Sequence, residues 1–254
     1  MLELVRKLFL STCEHVMEVY PFGEIDVGQI PSGGTPKVVD GADYRRATNK
    51  GAVIALDSSA ICLRGLNKTA AVGSESVISV GANSILENCT FTINGDNSAI
   101  IIGENCRLRG LMIKVSFSNS VVVIGSHTTW EGGVIFSESG NIVAIGNDCM
   151  ASSGVMIRTT DGHAIFDAKT RKPLNMAKDV FVGHHVWLGN SSRIHKGAKI
   201  GSGTVLGQSS IASAALKSNA IYAGAPARKI RDDIAWSRSA NYADIPAMYI
   251  PDMP

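Results

Sequence analysis

The stretch VGHHVWLGNSSRIHKGAKIGSGTVLGQSSI, residues 182–211, decides the fold. Cut in sixes, it puts Val182, Leu188, Ile194, Ile200 and Leu206 at one repeat position. Gly follows four of these residues and His195 follows the other. The fifth place is small or β-branched: Val186, Ser192, Ala198, Thr204 and Ser210. An amphipathic helix needs apolar residues three and four apart, and a lone strand alternates; a period of six fits neither. It fits a parallel β-helix, in which each hexapeptide is one short strand plus a corner and the aliphatic residue points into a prism-shaped core. Gly and Asn suit the corners because they tolerate positive φ.

Upstream the pattern continues in a looser form. Val80, Ile102, Ile124 and Ile145 head four similar segments, at steps of 22, 22 and 21 residues. Three hexads make a turn of ~18 residues, so each of these turns carries a corner insertion of three or four residues. The solenoid is expected over residues 51–211. It is interrupted by AIFDAKTRKPLNMAKD, residues 164–179, which has no six-fold pattern and reads as a protruding loop. Long excursions from a regular scaffold often carry function. Residues 1–50 form an N-terminal extension that opens with a helix: Leu2, Val5, Phe9, Cys13, Val16 and Tyr20 have helical spacing, and Pro21-Phe22-Gly23 ends it. Such a helix caps the solenoid or lies on a neighbour. PSGGTP, residues 31–36, reads as a loop, and residues 37–50 have no clear pattern. Residues 212–254 hold a closing turn, a short helical segment and a Pro-rich surface tail.

Composition narrows the function. With 24 basic and 22 acidic residues the chain carries +2, which does not suggest a nucleic-acid binder. No apolar run approaches the ~20 residues of a membrane span. The opening residues lack the pattern of a secretory leader, with Glu3, Arg6 and Lys7 breaking the apolar run. Five cysteines with no CxxC indicate neither a disulfide framework nor a zinc knuckle, and Cys106 and Cys149 read as small corner-filling apolar residues. A reducing cytoplasm is the expected location.

Three motifs carry a resemblance: TTDGHAIFD (159–167) before the loop, VGHHVWLG (182–189) after it, and GAPARKIR (224–231) where the repeat ends. In these the chain resembles the hexapeptide-repeat acyltransferases, and most closely the bacterial sugar and polysaccharide O-acetyltransferases. The resemblance covers most of residues 144–231. It implies an all-β, left-handed parallel β-helix and a homotrimer with active sites between subunits. It also implies acetyl-CoA as cosubstrate and no metal. His163 takes the place of the general base, and Trp187 lines the thioester site. Arg228 and Arg231 match an end motif that lies near the nucleotide phosphates. Pantetheine is placed along the groove near Gly189, Asn190 and Gly207. Two departures concern this groove: Gln208 stands where the family often has Ala, and a family Lys near Ala214 is missing, with Lys217 and Lys229 as substitutes.

The chemistry agrees with the resemblance. Acyl transfer from a thioester to a hydroxyl needs a base titrating near neutrality, which His supplies. The developing oxyanion needs a preorganised donor, and backbone N–H groups or the Trp187 indole can serve. Asp161, Asp167 or a backbone carbonyl could hold the His163 ring. Taken alone, His163 reads as a solvated turn residue and Trp187 as packing; the loop, the fold and the pair together favour catalysis. His127 reads as a corner, His184 and His185 as solvated corners with one of them a candidate to face the acceptor, and His195 as a coil-face or interface residue and not a base. The acceptor expected is a glycan hydroxyl on a capsular or lipopolysaccharide sugar, sialic acid included, since the loop carries Lys169, Arg171, Lys172 and Lys178. Three other readings stand beside it. An amino-sugar N-acetyltransferase would use the same residues. A zinc carbonic-anhydrase-like enzyme would need three converging His, and none follows His163 at short range. A non-catalytic scaffold would bind no acetyl-CoA.

Overall fold

A computed structural model of the chain describes residues 2–31, 35–39 and 41–251. Among them, strands of two to seven residues stack coil upon coil into three sheets of ten, eight and eight strands, which form the faces of a prism. Every pairing within the coils is parallel. The exception is the last hairpin, Ile221–Ala223 with Arg228–Arg231, which is antiparallel. Val80, Ile102, Ile124 and Ile145 lie in one register row, as the steps of 22, 22 and 21 residues require. Val186, Ser192, Ala198, Thr204 and Ser210 are fully buried corner residues, as the repeat predicts.

The three faces differ in what lies outside them. On the first, the strands Ala99–Ile102, Val121–Ile124 and Ile142–Ile145 are buried at every position. Their inward residues form the prism core, while Ala99, Ile101, Val121, Val123, Ile142, Ala144 and Phe181 pack outward against Leu8, Phe9, Val16 and Tyr20. The N-terminal helix, Leu2–Val19, therefore lies on its own solenoid and backs this face. Full burial of each large aliphatic residue there contributes roughly 1.5–3 kcal/mol. Tyr20 closes the arrangement by donating its hydroxyl to the Val182 carbonyl at 2.6 Å. Leu2 and Val5 of the predicted apolar stripe lie outside the described side chains, as do residues 32–34 of the predicted loop.

The second face carries Trp130 inward and Trp187 outward, and we call it the tryptophan face. The third, the long-strand face, holds the extra residues of the looser turns. Thr90–Asn94, Leu111–Ser116 and Gly133–Glu138 are five or six residues long, against two for Arg193–Ile194 and Ile211–Ala212. The insertion thus lengthens one face as well as its following corner, and it adds an inward position filled by Ile93, Val115 and Ser137. The solenoid also starts earlier than the repeat suggests. Lys37–Val39 and Asp43–Asn49 already pair with the next coil. At the other end, coils continue through Ala215–Leu216 and Ile221–Ala223. The closing segment is a strand, Arg228–Arg231, followed by single 3₁₀ turns at Tyr242–Asp244 and Ala247–Tyr249. Cys106 and Cys149 fill corners as expected, and burial pushes both thiols up to about 12.

Candidate active site

The chain leaves the long-strand face at Arg158 and rejoins the helix-backed face at Val180. The excursion between them springs from the corner where these two faces meet. Its tip is a small hairpin: Phe166 bridges Pro173, and the Leu174 amide donates to the Ile165 carbonyl at 2.8 Å. Asn175 ties the base of the loop by donating from Nδ2 to the His163 carbonyl and to Asp161 Oδ2, each at 2.8 Å. Lys196, three coil strands further along the chain, pairs with the same Asp161 oxygen and also donates to the Asn175 carbonyl at 2.8 Å. The Lys196 and Asn175 hydrogen bonds hold the Asp161 carboxyl below its usual range. With its main chain fixed in this way, His163 is presented exposed at the mouth of a cleft of about 250 Å³. Phe117, Glu138, Thr160 and Met176 share its lining.

Neither carboxylate suggested for orienting His163 does so within the chain. Asp161 is engaged by Lys196 and Asn175, and Asp167 accepts from the amides of Lys169 and Thr170 inside the loop. His195 sits near Asp161 but is partly buried, and that burial lowers its pKa against the pull of the carboxylate.

Trp187 stands on the tryptophan face, which lies opposite the corner that carries His163. The chain therefore does not bring the two together. Trp187 is 36 % exposed and packs at 5.9 Å against Trp236. Sequence reading did not single out Trp236, because a lone Trp in a tail carries no periodic signal. It is buried, stacks on His185 at 4.0 Å, and donates its indole N–H to the His185 carbonyl at 2.8 Å. Tyr249 stacks on the other side of the same imidazole at 4.5 Å. The two ring nitrogens of His185 face Asp148 Oδ2 at 2.7 Å and the Trp236 carbonyl at 2.9 Å. Burial pushes the Asp148 carboxyl up, but its hydrogen bond with His185 and the charge of Arg238 outweigh this and hold it below its usual range. His185 is thus a buried anchor for the C-terminal strap and not a solvated corner.

His184 is not a solvated corner either. The Asn147 N–H donates to its Nδ1 at 3.0 Å, so Nε2 carries the proton and donates to the Phe22 carbonyl at 3.0 Å. Burial lowers its pKa. The unfolded chain takes up this proton near pH 6.5 and the folded one only at lower pH. Stability is therefore full above pH 6.5 and is lost as pH falls toward the folded value. Melting temperature is expected to drop between pH 7 and pH 5.5, and His184→Gln is expected to flatten that slope in a fluorimetric melt. An unchanged slope would remove His184 as its source.

The other expected ligands cluster on the tryptophan face. Trp187, Val205, Ile221 and Arg231 form one register row on its outer surface. Three strand spacings put Trp187 and Arg231 roughly 14 Å apart. A bulge opposite Ile221/Tyr222 pairs Arg228 with Ala223 and Arg231 with Ile221, so both arginines lie on that same outer side. Both are exposed, whereas Lys229 is engaged by Asp232 at 2.6 Å. Gln208 is exposed. The Gly189 and Gly207 amides, however, donate to the carbonyls of Leu206 and Tyr222 in the next coil, at 2.8 and 2.7 Å. Asn190 turns its side-chain amide to Ser153, at 2.6 Å from Oγ. Gly189 is needed for close stacking: a Cβ on it would lie 2.7 Å from the Gln208 nitrogen. Among the described residues no three His, Cys, Asp or Glu gather as a metal site, and no helix is long and apolar enough to cross a membrane.

No family model matches the sequence. Individual relatives do. The chain is 37 % identical over 97 residues to a polysialic acid O-acetyltransferase of Escherichia coli O1:K1 / APEC, covering 38 % of this chain and 32 % of that protein. It is 44 % identical over 66 residues to the polysialic acid O-acetyltransferase of Neisseria meningitidis, covering 26 % of this chain and 30 % of that protein. The matched segments thus span about a third of the length of these curated relatives. Solved structures extend the likeness. The polysialic acid O-acetyltransferase OatWY superposes with a TM-score of 0.72 at 26 % identity, over 79 % of this chain and 94 % of that one. The polySia-specific acetyltransferase NeuO gives 0.63 at 27 % identity, over 81 % and 89 %. Six-residue repeat, three-faced parallel solenoid and these relatives agree: in sequence and in fold the chain is similar to polysialic acid O-acetyltransferases.

Proposed function

We propose that the protein transfers the acetyl group of acetyl-CoA to a hydroxyl of a glycan, sialic-acid-containing polymers being the leading class. His163 acts as general base, and Trp187 lines the thioester site. His163 takes the hydroxyl proton as the acceptor oxygen attacks the thioester carbonyl, and the thiol leaves; no covalent enzyme intermediate is needed. The observation that carries this reading is the exposed His163, held by a braced loop at the mouth of a cleft large enough for a sugar ring. The relatives support the glycan and the O-acetyl chemistry.

His163 and Trp187 on opposite sides of one prism support a second copy completing each site. The geometry favours a symmetric homotrimer, in which the corner of one subunit meets the tryptophan face of the next. The donor would run along the outer row from Trp187 to Arg231. Its pantetheine would have to use groups other than the Gly189 and Gly207 amides, which the coil ladder occupies. Arg228 and Arg231, on one side of the terminal hairpin, suit the nucleotide phosphates. Calorimetric titration tests this half. Micromolar acetyl-CoA binding is expected, with Arg228→Ala/Arg231→Ala weakening it about 10–100-fold and coenzyme lacking the 3′-phosphate binding more weakly to the unmodified protein. No binding at millimolar ligand would refute the acyltransferase reading and leave the scaffold.

A further inference from the structure

We propose that Phe117 is the platform on which the acceptor sugar stacks beside His163, and so helps to select a pyranose ring over other alcohols. The proposal rests on the reading of His163 as the base. Val72, Asn94, Ser116 and Glu138 share a register row at the end of the long-strand face. The residues that follow them, Gly73, Gly95, Phe117 and Ser139, therefore turn the same corner in successive coils. Stacking demands glycine in the first two: a Cβ on Gly73 would lie 2.1 Å from the Gly95 carbonyl oxygen, and one on Gly95 would lie 2.3 Å from that of Phe117. The third coil, nearer the excursion, breaks this rule with the bulkiest side chain of the row.

Phe117 gains nothing for the fold from this position. Its φ is +67°, in the left-handed region that a bulky residue rarely adopts. Its side chain is 64 % exposed and belongs to neither main apolar cluster. Strain of this kind persists where function uses it. Phe117 lines the cleft of His163 together with Pro173 and Met176 of the loop. A pyranose presents an apolar face of C–H groups and a rim of hydroxyls. Phe117 suits the face. Glu138, which accepts from Thr160 Oγ1 at 2.8 Å, and Ser139 suit the rim.

The test uses the full chain with Phe117→Ala and Phe117→Trp, and oligosialic acid as the glycan probe. Phe117→Ala is expected to raise the KM for the glycan about tenfold, with the acetyl-CoA KM, the melting temperature and the sedimentation coefficient unchanged. Phe117→Trp is expected to restore the glycan KM. Direct titration of glycan, without donor, should show the same loss. An unchanged glycan affinity in Phe117→Ala, or no glycan binding by the unmodified protein, would overturn the platform. A fall in melting temperature or a changed assembly state would also overturn it, by making the ring structural. His163→Ala separates the two ideas: glycan binding without transfer supports both, whereas continued transfer would refute the base and leave the titration to decide the platform.

Discussion

His163→Ala is expected to lower the rate of acetyl transfer by about 10²–10⁴-fold, the range of a lost general base, while acetyl-CoA still binds with unchanged affinity. The split follows from the geometry. The imidazole stands on an exposed corner, and among the described residues no hydrogen bond of its ring holds the loop. The loop is braced by the His163 carbonyl, Asn175, Asp161 and Lys196, all of which the substitution leaves in place. The row proposed for the donor, from Trp187 to Arg231, lies on another face of the prism. Melting temperature should therefore stay within a degree or two, because an exposed side chain contributes little to stability. Full activity in the variant would refute the mechanism. Loss of donor binding would place His163 in the coenzyme groove and not at the acceptor.

Trp187→Ala is expected to reduce turnover about 10–1,000-fold, the range spanned by a misplaced thioester and a lost oxyanion donor. The ring is half out of the tryptophan face and rests on Trp236. Trp236 is itself clamped by the His185 stack, while Asp148 holds both His185 and Arg238. Trp187 is thus presented on a rigid support at the start of the row that leads to Arg231. Trp187→Phe distinguishes its two possible contributions. Recovery of turnover by Phe assigns shape, since Phe keeps the ring contact; a rate as low as that of Ala assigns the indole N–H. Kinetics unchanged in both variants would reduce Trp187 to packing.

Several features that escaped the sequence had a signal in it that was read for something else. The runs AIII (99–102), VVVI (121–124) and IVAI (142–145) are apolar at both parities, which marks strands covered on both sides. They announce a partner for the outer face of that sheet, and the N-terminal helix is that partner. His184 and His185 looked like polar corner residues because their neighbours in sequence are Gly183 and Val186. What buries them comes from 162 residues upstream, at Phe22, and 51 downstream, at Trp236. The placement of Arg228 and Arg231 on one side depends on a bulge, which three-residue spacing alone does not reveal.

By itself the sequence determined the solenoid, its register and its interruption. Each of these is local: a strand must place an aliphatic residue inward every six residues, a corner must tolerate positive φ, and a segment without that period cannot join a coil. It also singled out the residues proposed to carry the chemistry, because the motifs around His163 and Trp187 are contiguous. Only the tertiary structure decided how these pieces are arranged. Neighbouring coils pair residues 16 to 37 apart in sequence, so the occupied amides of Gly189 and Gly207 and the exposed Phe117 in a glycine row appear only once the coils are stacked. The separation of His163 from Trp187 is decided at the same level, since the corner from which a loop leaves and the face on which a ring stands are properties of the closed prism, not of the chain read in line.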